Sequence, residues 1–317
     1  MRRFPFAPQP TQRLRTLVGK IGGNRGKPAA GGNQRWRRHW KFWRAVTVCS
    51  KDRASTIRTA SISATYPTAA FTGAVGEVET LIPGRKGVGG IAINQAGGFV
   101  CSGRGLVYWN EASRTSRNLF TEWEGRPLKG LNDLQPDDHG SVYVGSLEFD
   151  ALSDQKPIPG NLFRVDPDGM VTKLWEGIEV TNGLGFSPNR KLLYHADSTT
   201  QAVWVYDVKS DRTVADRRVV AKVPDGWPDG LAIDADGGVV VATVKSGEVV
   251  RFKPDGTIDY RMKIPAKFVT SVTFGGKDLQ DLYVVTADNT DDKDKKGTIF
   301  RTRTEIPGLA VPKAKFN

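Results

Sequence analysis

The sequence predicts an all-β propeller, a ring of four-stranded blades set around a central channel. Three observations lead there. Short apolar runs alternate with turns rich in Gly, Pro and Asp, no long stretch carries helical periodicity, and a unit of several strands recurs about every 40 to 50 residues.

The elements follow in order from about Val78. Phe99-Val100-Cys101, Val142-Tyr143-Val144, Val239-Val240-Val241 and Leu282-Tyr283-Val284-Val285 read as short strands. Asp166-Pro167-Asp168-Gly169 and Lys253-Pro254-Asp255-Gly256 read as hairpin turns, since Pro presets one turn dihedral and Gly accepts a positive φ. With 35 Gly and 18 Pro in 317 residues, the chain is broken into many short elements. No run of about 18 apolar residues is present, which excludes a membrane-spanning helix. The two cysteines, Cys49 and Cys101, form no disulfide framework and lack zinc-ligand spacing, so a reducing, cytoplasmic setting is expected.

Charge divides the chain. Residues 1–75 hold 15 Lys and Arg against one acidic residue, Asp52, while the remainder is close to neutral. The overall charge of +12 therefore says nothing about the partner of the main domain. In the basic segment, Arg35 to Arg44 interleaves cations with Trp36, Trp40, Phe42 and Trp43, a pattern suited to RNA or a membrane surface. Its first 20 residues loosely match an organellar transit peptide. A misassigned start or a frameshift is the third reading of this segment.

Five segments align as a repeat. They start at Gly89, Asn132, Asn182, Asp229 and Thr270, with spacings of 43, 50, 47 and 41 residues. Each spacing matches one propeller blade. Equivalent positions of successive blades meet around the channel, so Asn132, Asn182 and Asp229 are expected at one level of the axis. Amide and carboxylate oxygens converging there would suit a hard divalent cation, although Asn and Asp also begin strands simply as turn residues. Thr298-Ile299-Phe300-Arg301 is expected to close the ring by pairing into the first blade.

At these residues the chain resembles the senescence marker protein, gluconolactonase and regucalcin family of six-bladed propellers. The resemblance is carried by Leu131-Asn132-Asp133, Thr181-Asn182-Gly183-Leu184-Gly185-Phe186-Ser187-Pro188, Tyr194-His195-Ala196-Asp197-Ser198, Pro228-Asp229-Gly230-Leu231 and Thr270-Ser271 through Phe274-Gly275-Gly276. It spans roughly residues 77–305. It implies a six-bladed β-propeller over residues 76–317 with its first blade incomplete, preceded by the basic segment 1–75.

The resemblance further implies one divalent metal ion (calcium, zinc, magnesium or manganese) held by a Glu, an Asn and an Asp. Asn182 and Asp229 match the last two. Asn132 matches a substrate-binding position, and Glu148, with Asp150 nearby, falls close to an acidic substrate-contacting one. The family Glu belongs near residues 40–48, where this chain reads Trp40 to Val48 without a Glu. Its loss predicts weaker metal binding, and the abrupt return of resemblance at Gly76-Glu77 favours an altered N-terminus.

The function this implies is metal-dependent hydrolysis of sugar lactones, with Asp229 as general base. The alternative is a non-catalytic propeller whose degraded metal site binds a ligand or partner. A nucleic-acid arm at Arg35 to Arg44 ranks third. Competing chemistry finds little support: His39, His139 and His195 are scattered through the repeat, Ser102 to Gly105 is too short for a phosphate loop, and Asp288 to Asp294 lacks a calcium loop's Gly and Glu.

Overall fold

The computed structural model describes residues 88–150, 155–287 and 299–317, together with the strand Lys41–Trp43. The boundary expected near residue 75 and the Asp288 to Asp294 run lie outside the described residues, as does most of the basic segment. Strand β1 (Lys41–Trp43) comes first in the chain. Blade I holds β2 (Ile91–Ile93), β3 (Phe99–Cys101), β4 (Leu106–Asn110) and β5 (Thr115–Phe120), followed by a small hairpin, β6 (Glu122–Trp123) and β7 (Arg126–Pro127). Blade II holds β8 (Gly130–Pro136), β9 (Val142–Leu147), β10 (Gly160–Val165) and β11 (Val171–Ile178). Blade III holds β12 (Thr181–Phe186), β13 (Leu192–Asp197), β14 (Ala202–Val208) and β15 (Val214–Lys222). Blade IV holds β16 (Trp227–Ile233), β17 (Val239–Val244), β18 (Glu248–Phe252) and β19 (Ile258–Lys263). Blade V holds β20 (Val269–Gly275), β21 (Asp281–Thr286), β22 (Ile299–Arg303) and, on its outer edge, β1.

Two expectations are corrected here. Five four-stranded blades, not six, are present among the described residues. The strand expected at Thr298 to Arg301 does not pair into the first blade. As β22 it lies antiparallel between β21 and β1, where Phe300 pairs with Val284 on one side and Phe42 on the other. Blade V thus joins the two ends of the chain, and β1 covers what would be the exposed outer edge of β22.

The apolar runs are explained by burial on both faces. Successive residues of a strand point to opposite sides of the sheet, and in a stacked blade both sides meet a neighbour. Val142 and Val144 pack toward blade I, whereas Tyr143 between them packs with Phe186 and Leu193 of blade III. Val239 and Val241 face blade III, and Val240 and Ala242 face blade V. The core is therefore a series of apolar layers between adjacent blades.

All five repeat segments fall on inner strands, and β2, β8, β12, β16 and β20 follow one another around the channel. Asn94, Asp137, Ser187 and Asp234 each stand five residues after a segment start and occupy equivalent turns at the base of the inner strand. Their backbone N–H groups donate to Gly98, Ser141, Leu192 and Gly238. Asp137 and Asp234 also accept two backbone N–H bonds each through Oδ1, which is why short polar side chains recur there. The segment after β22 crosses this base. Leu309 donates to the Ile233 carbonyl, Ala314 to Ile93, and Phe316 exchanges two hydrogen bonds with the side chain of Asn94. Ala314 and Phe316 are 0% and 1% exposed, so the tail completes the apolar layer of blades I and II.

Near the start of β8, β12 and β16 the register with the second strand slips, between Leu131 and Leu134, Thr181 and Leu184, and Pro228 and Leu231. Each is a bulge holding a segment start and the residue after it, and bulges re-aim side chains. In β12 the following residue is Gly183, whose added Cβ would stand 2.2 Å from the backbone nitrogen of Leu231.

Two measurements check this packing. Replacing Phe316 by Ala should cost about 3–5 kcal/mol, seen as a lower urea midpoint; an unchanged midpoint would place the tail outside the core. Gly183→Ala should destabilise by about 1–3 kcal/mol by overpacking β12 against β16, and a melting temperature equal to the parent's would contradict that close approach.

Candidate active site

Asn132, Asn182 and Asp229 sit in the bulges at the top of the channel, where the inner strands begin. Asn132 Nδ2 donates to the Thr181 carbonyl at 2.7 Å and to Asn182 Oδ1 at 2.6 Å. Asn182 Nδ2 donates to Ser198 Oγ at 2.6 Å, and Ser198 Oγ donates to the carbonyl of Pro228, also at 2.6 Å. Pro228 immediately precedes Asp229. A continuous chain of hydrogen bonds thus links blades II, III and IV at one level of the axis.

A second carboxylate belongs to this cluster and was not singled out in the sequence. Asp133, the other residue of the β8 bulge, lines the cavity of about 130 Å³ that runs down the channel to Leu309 and Val311. Asp133 and Asp229 keep some exposure to the channel, yet protein rather than bulk water surrounds them. Desolvation pushes the Asp133 carboxyl up to about 7. Desolvation first, and the charge of Asp133 second, push Asp229 well above the usual carboxylate range, with one opposing hydrogen bond from the Gly230 N–H. The signal lay one column along in the repeat. The residues after the segment starts read Gly90, Asp133, Gly183, Gly230 and Ser271, and only one carries a charge.

The remaining candidates stand apart. Glu148, just past β9, accepts from Ser146 Oγ at 2.9 Å, and its backbone carbonyl accepts from Lys129 Nζ at 2.9 Å; neither bond reaches Asn132, Asn182 or Asp229. His139 donates its backbone N–H to Asp137 within a turn. His195 is buried on β13 with Nε2 2.7 Å from Thr181 Oγ1, and burial, aided by Arg217, lowers its pKa to about 3, so the ring is neutral. The window expected to hold the family Glu lies outside the described residues except for β1.

The chemistry of the donors fits a hard divalent cation. Two desolvated carboxylates share the top of the channel with amide oxygens, and neither carboxylate forms an ion pair with Lys or Arg among the described residues. A divalent cation would supply the positive charge that this pair lacks. The set is sparse, however: no group of three or more His, Cys, Asp or Glu is placed to hold a metal among the described residues.

Comparison with known proteins agrees with the architecture. A family model described as "SMP-30/Gluconolactonase/LRE-like region" matches residues 68–288. A 6-deoxy-6-sulfogluconolactonase of Pseudomonas putida is 30% identical over 248 residues, which cover 75% of this chain and 83% of the relative. A regucalcin of Xenopus laevis is 31% identical over 239 residues, covering 71% of this chain and 78% of the relative. Among solved structures, a luciferin-regenerating enzyme superposes with a TM-score of 0.66 at 27% identity, covering 73% of this chain and 83% of the other. With a family match over more than half its length and inner strands that carry the matching motifs, the chain belongs to the SMP-30/gluconolactonase/LRE-like family.

Proposed function

We propose that the chain hydrolyses sugar lactones with the help of a divalent cation held by Asn182 Oδ1 and Asp229. The observation that carries this reading is the hydrogen-bonded row of Asn132, Asn182 and the carbonyl preceding Asp229 at the top of the channel. The name of the P. putida relative, which is a sugar-acid lactonase, supports the substrate class.

When bound, the cation supplies Lewis acidity toward the lactone carbonyl. Asp229 takes a proton from the attacking water as its oxygen bonds to the carbonyl carbon. The ring C–O bond then breaks, and the proton held by Asp229 passes to the departing ring oxygen, leaving an open hydroxy acid. Desolvation raises the Asp229 carboxyl above the usual carboxylate range, which makes its carboxylate a stronger base toward water. Asn132 keeps Oδ1 without a protein donor among the described residues, so it is available to a substrate hydroxyl. Glu148, near the start of β8, offers a second polar contact to the sugar.

Asp229→Asn should lower kcat/KM for gluconolactone by about 10²–10⁴-fold in a pH-indicator assay with added calcium, manganese or zinc, and activity close to the parent's would remove Asp229 from the mechanism. The raised carboxyl of Asp133 adds a pH signature. A group whose folded pKa exceeds its unfolded value favours the folded state while protonated, so this contribution is lost as pH rises from about 4 to about 7. Cation-free protein should therefore lose melting temperature across that window, and Asp133→Asn should flatten the slope. A slope equal in the two proteins would contradict the desolvated carboxyl.

A further inference from the structure

Ser198 immediately follows β13, the second strand of blade III, and its hydroxyl lies 2.6 Å from both Asn182 Nδ2 and the Pro228 carbonyl oxygen. Counting protons assigns every group in this contact. A carbonyl only accepts, so the single hydroxyl proton goes to Pro228. Ser198 Oγ then meets Asn182 with a lone pair, which only the amide nitrogen of Asn182 can satisfy. The amide oxygen is thereby turned to the opposite side, where Asn132 Nδ2 meets it at 2.6 Å. Asn132 is fixed in the same way, because its nitrogen is held by the Thr181 carbonyl at 2.7 Å. Were Asn182 flipped, its NH₂ would face the NH₂ of Asn132 and its oxygen would face the lone pair of Ser198. Two backbone carbonyls, relayed by one hydroxyl, thus determine how both amides point.

We propose that Ser198 is a positioning residue of the site: it sets the amide of Asn182 with its oxygen on the Asn132 side and ties that amide to the backbone just ahead of Asp229. The inference rests on the reading of Asn182 as an oxygen donor to a divalent cation. Without Ser198 the amide loses one of its two anchors and keeps only the Asn132 contact, and a rotated amide presents protons where the cation needs an oxygen. Residues that orient a ligand through hydrogen bonds commonly change metal affinity by 10–100-fold when lost.

The test uses the full chain and three variants, Ser198→Ala, Ser198→Cys and Ser198→Thr. Calorimetric titration with calcium gives cation affinity. The side-chain amide resonances of Asn182, identified by their loss in Asn182→Asp, report the restraint on the amide with no cation present. Ser198→Ala and Ser198→Cys should weaken calcium binding by about 10–100-fold and broaden the Asn182 amide pair, with thermal unfolding still cooperative. Ser198→Thr keeps the hydroxyl and should restore most of the affinity. Parent-like affinity in a folded Ala or Cys variant would overturn the proposal, as would an amide pair left unchanged. If the parent binds none of calcium, magnesium, manganese or zinc but the amide pair still loosens in Ser198→Ala, the cation reading fails while the orienting role of Ser198 stands.

Discussion

A strand buried on both faces sends its side chains into two different neighbours, and this constraint organises the whole molecule. Tyr143 fills the layer between blades II and III while Val142 and Val144 fill the layer between I and II. Blades II, III and IV are thus each half of two cores, and their positions around the axis are set by both. Inner strands that would be unremarkable singly are brought to one level because the layers between them interdigitate in one register. The tail that ends in Ala314 and Phe316 enters one of these layers as well, at the base of the channel.

The top of the channel follows from that register. Bulges in β8, β12 and β16 fall at the same height, bring Asn132 and Asn182 into contact and hold Asp229 in the equivalent bulge of the next blade. At the position after each, Gly183 and Gly230 let adjacent inner strands approach closely, and Asp133 alone places a second carboxylate in the channel. The same burial that stabilises the blades leaves these carboxyls poorly solvated. Opposite charge is spent elsewhere. Third strands of blades II, IV and V carry Arg164, Arg251 and Arg301, each paired with an Asp at 2.6 to 3.0 Å, namely Asp166, Asp234 and Asp281. Paired arginines in the blades thus contrast with axial carboxyls that form no ion pair among the described residues.

Legibility in the sequence tracked the range of the interaction involved. The turns at Asp166 to Gly169 and Lys253 to Gly256 form hairpins as read, with Gly169 and Gly256 at φ of 92° and 83°, because four residues contain everything such a turn needs. The inner strands were also legible, since four of the five carry their own turn five residues on. β22 was assigned the wrong partner because its neighbour β1 lies more than 250 residues away and has no distinctive pattern. Asp133 was less legible because it stands one column along from the repeat's Asn and Asp positions, where the other blades carry Gly or Ser. The role of Ser198 was not legible at all, since its contacts are with Asn182 and Pro228, 16 and 30 residues distant, on two blades.

The sequence by itself determined a repeated all-β architecture, the residues that begin each inner strand, and the family, because these depend on local periodicity, turn chemistry and motif. Tertiary structure decided which oxygens and protons face one another. Blade packing brings Asp133 beside Asp229 so that burial raises both carboxyls and the charge of Asp133 raises Asp229 further, and it places the Pro228 carbonyl where a single hydroxyl can orient Asn182. Those outcomes depend on distances across blades, which no linear spacing encodes.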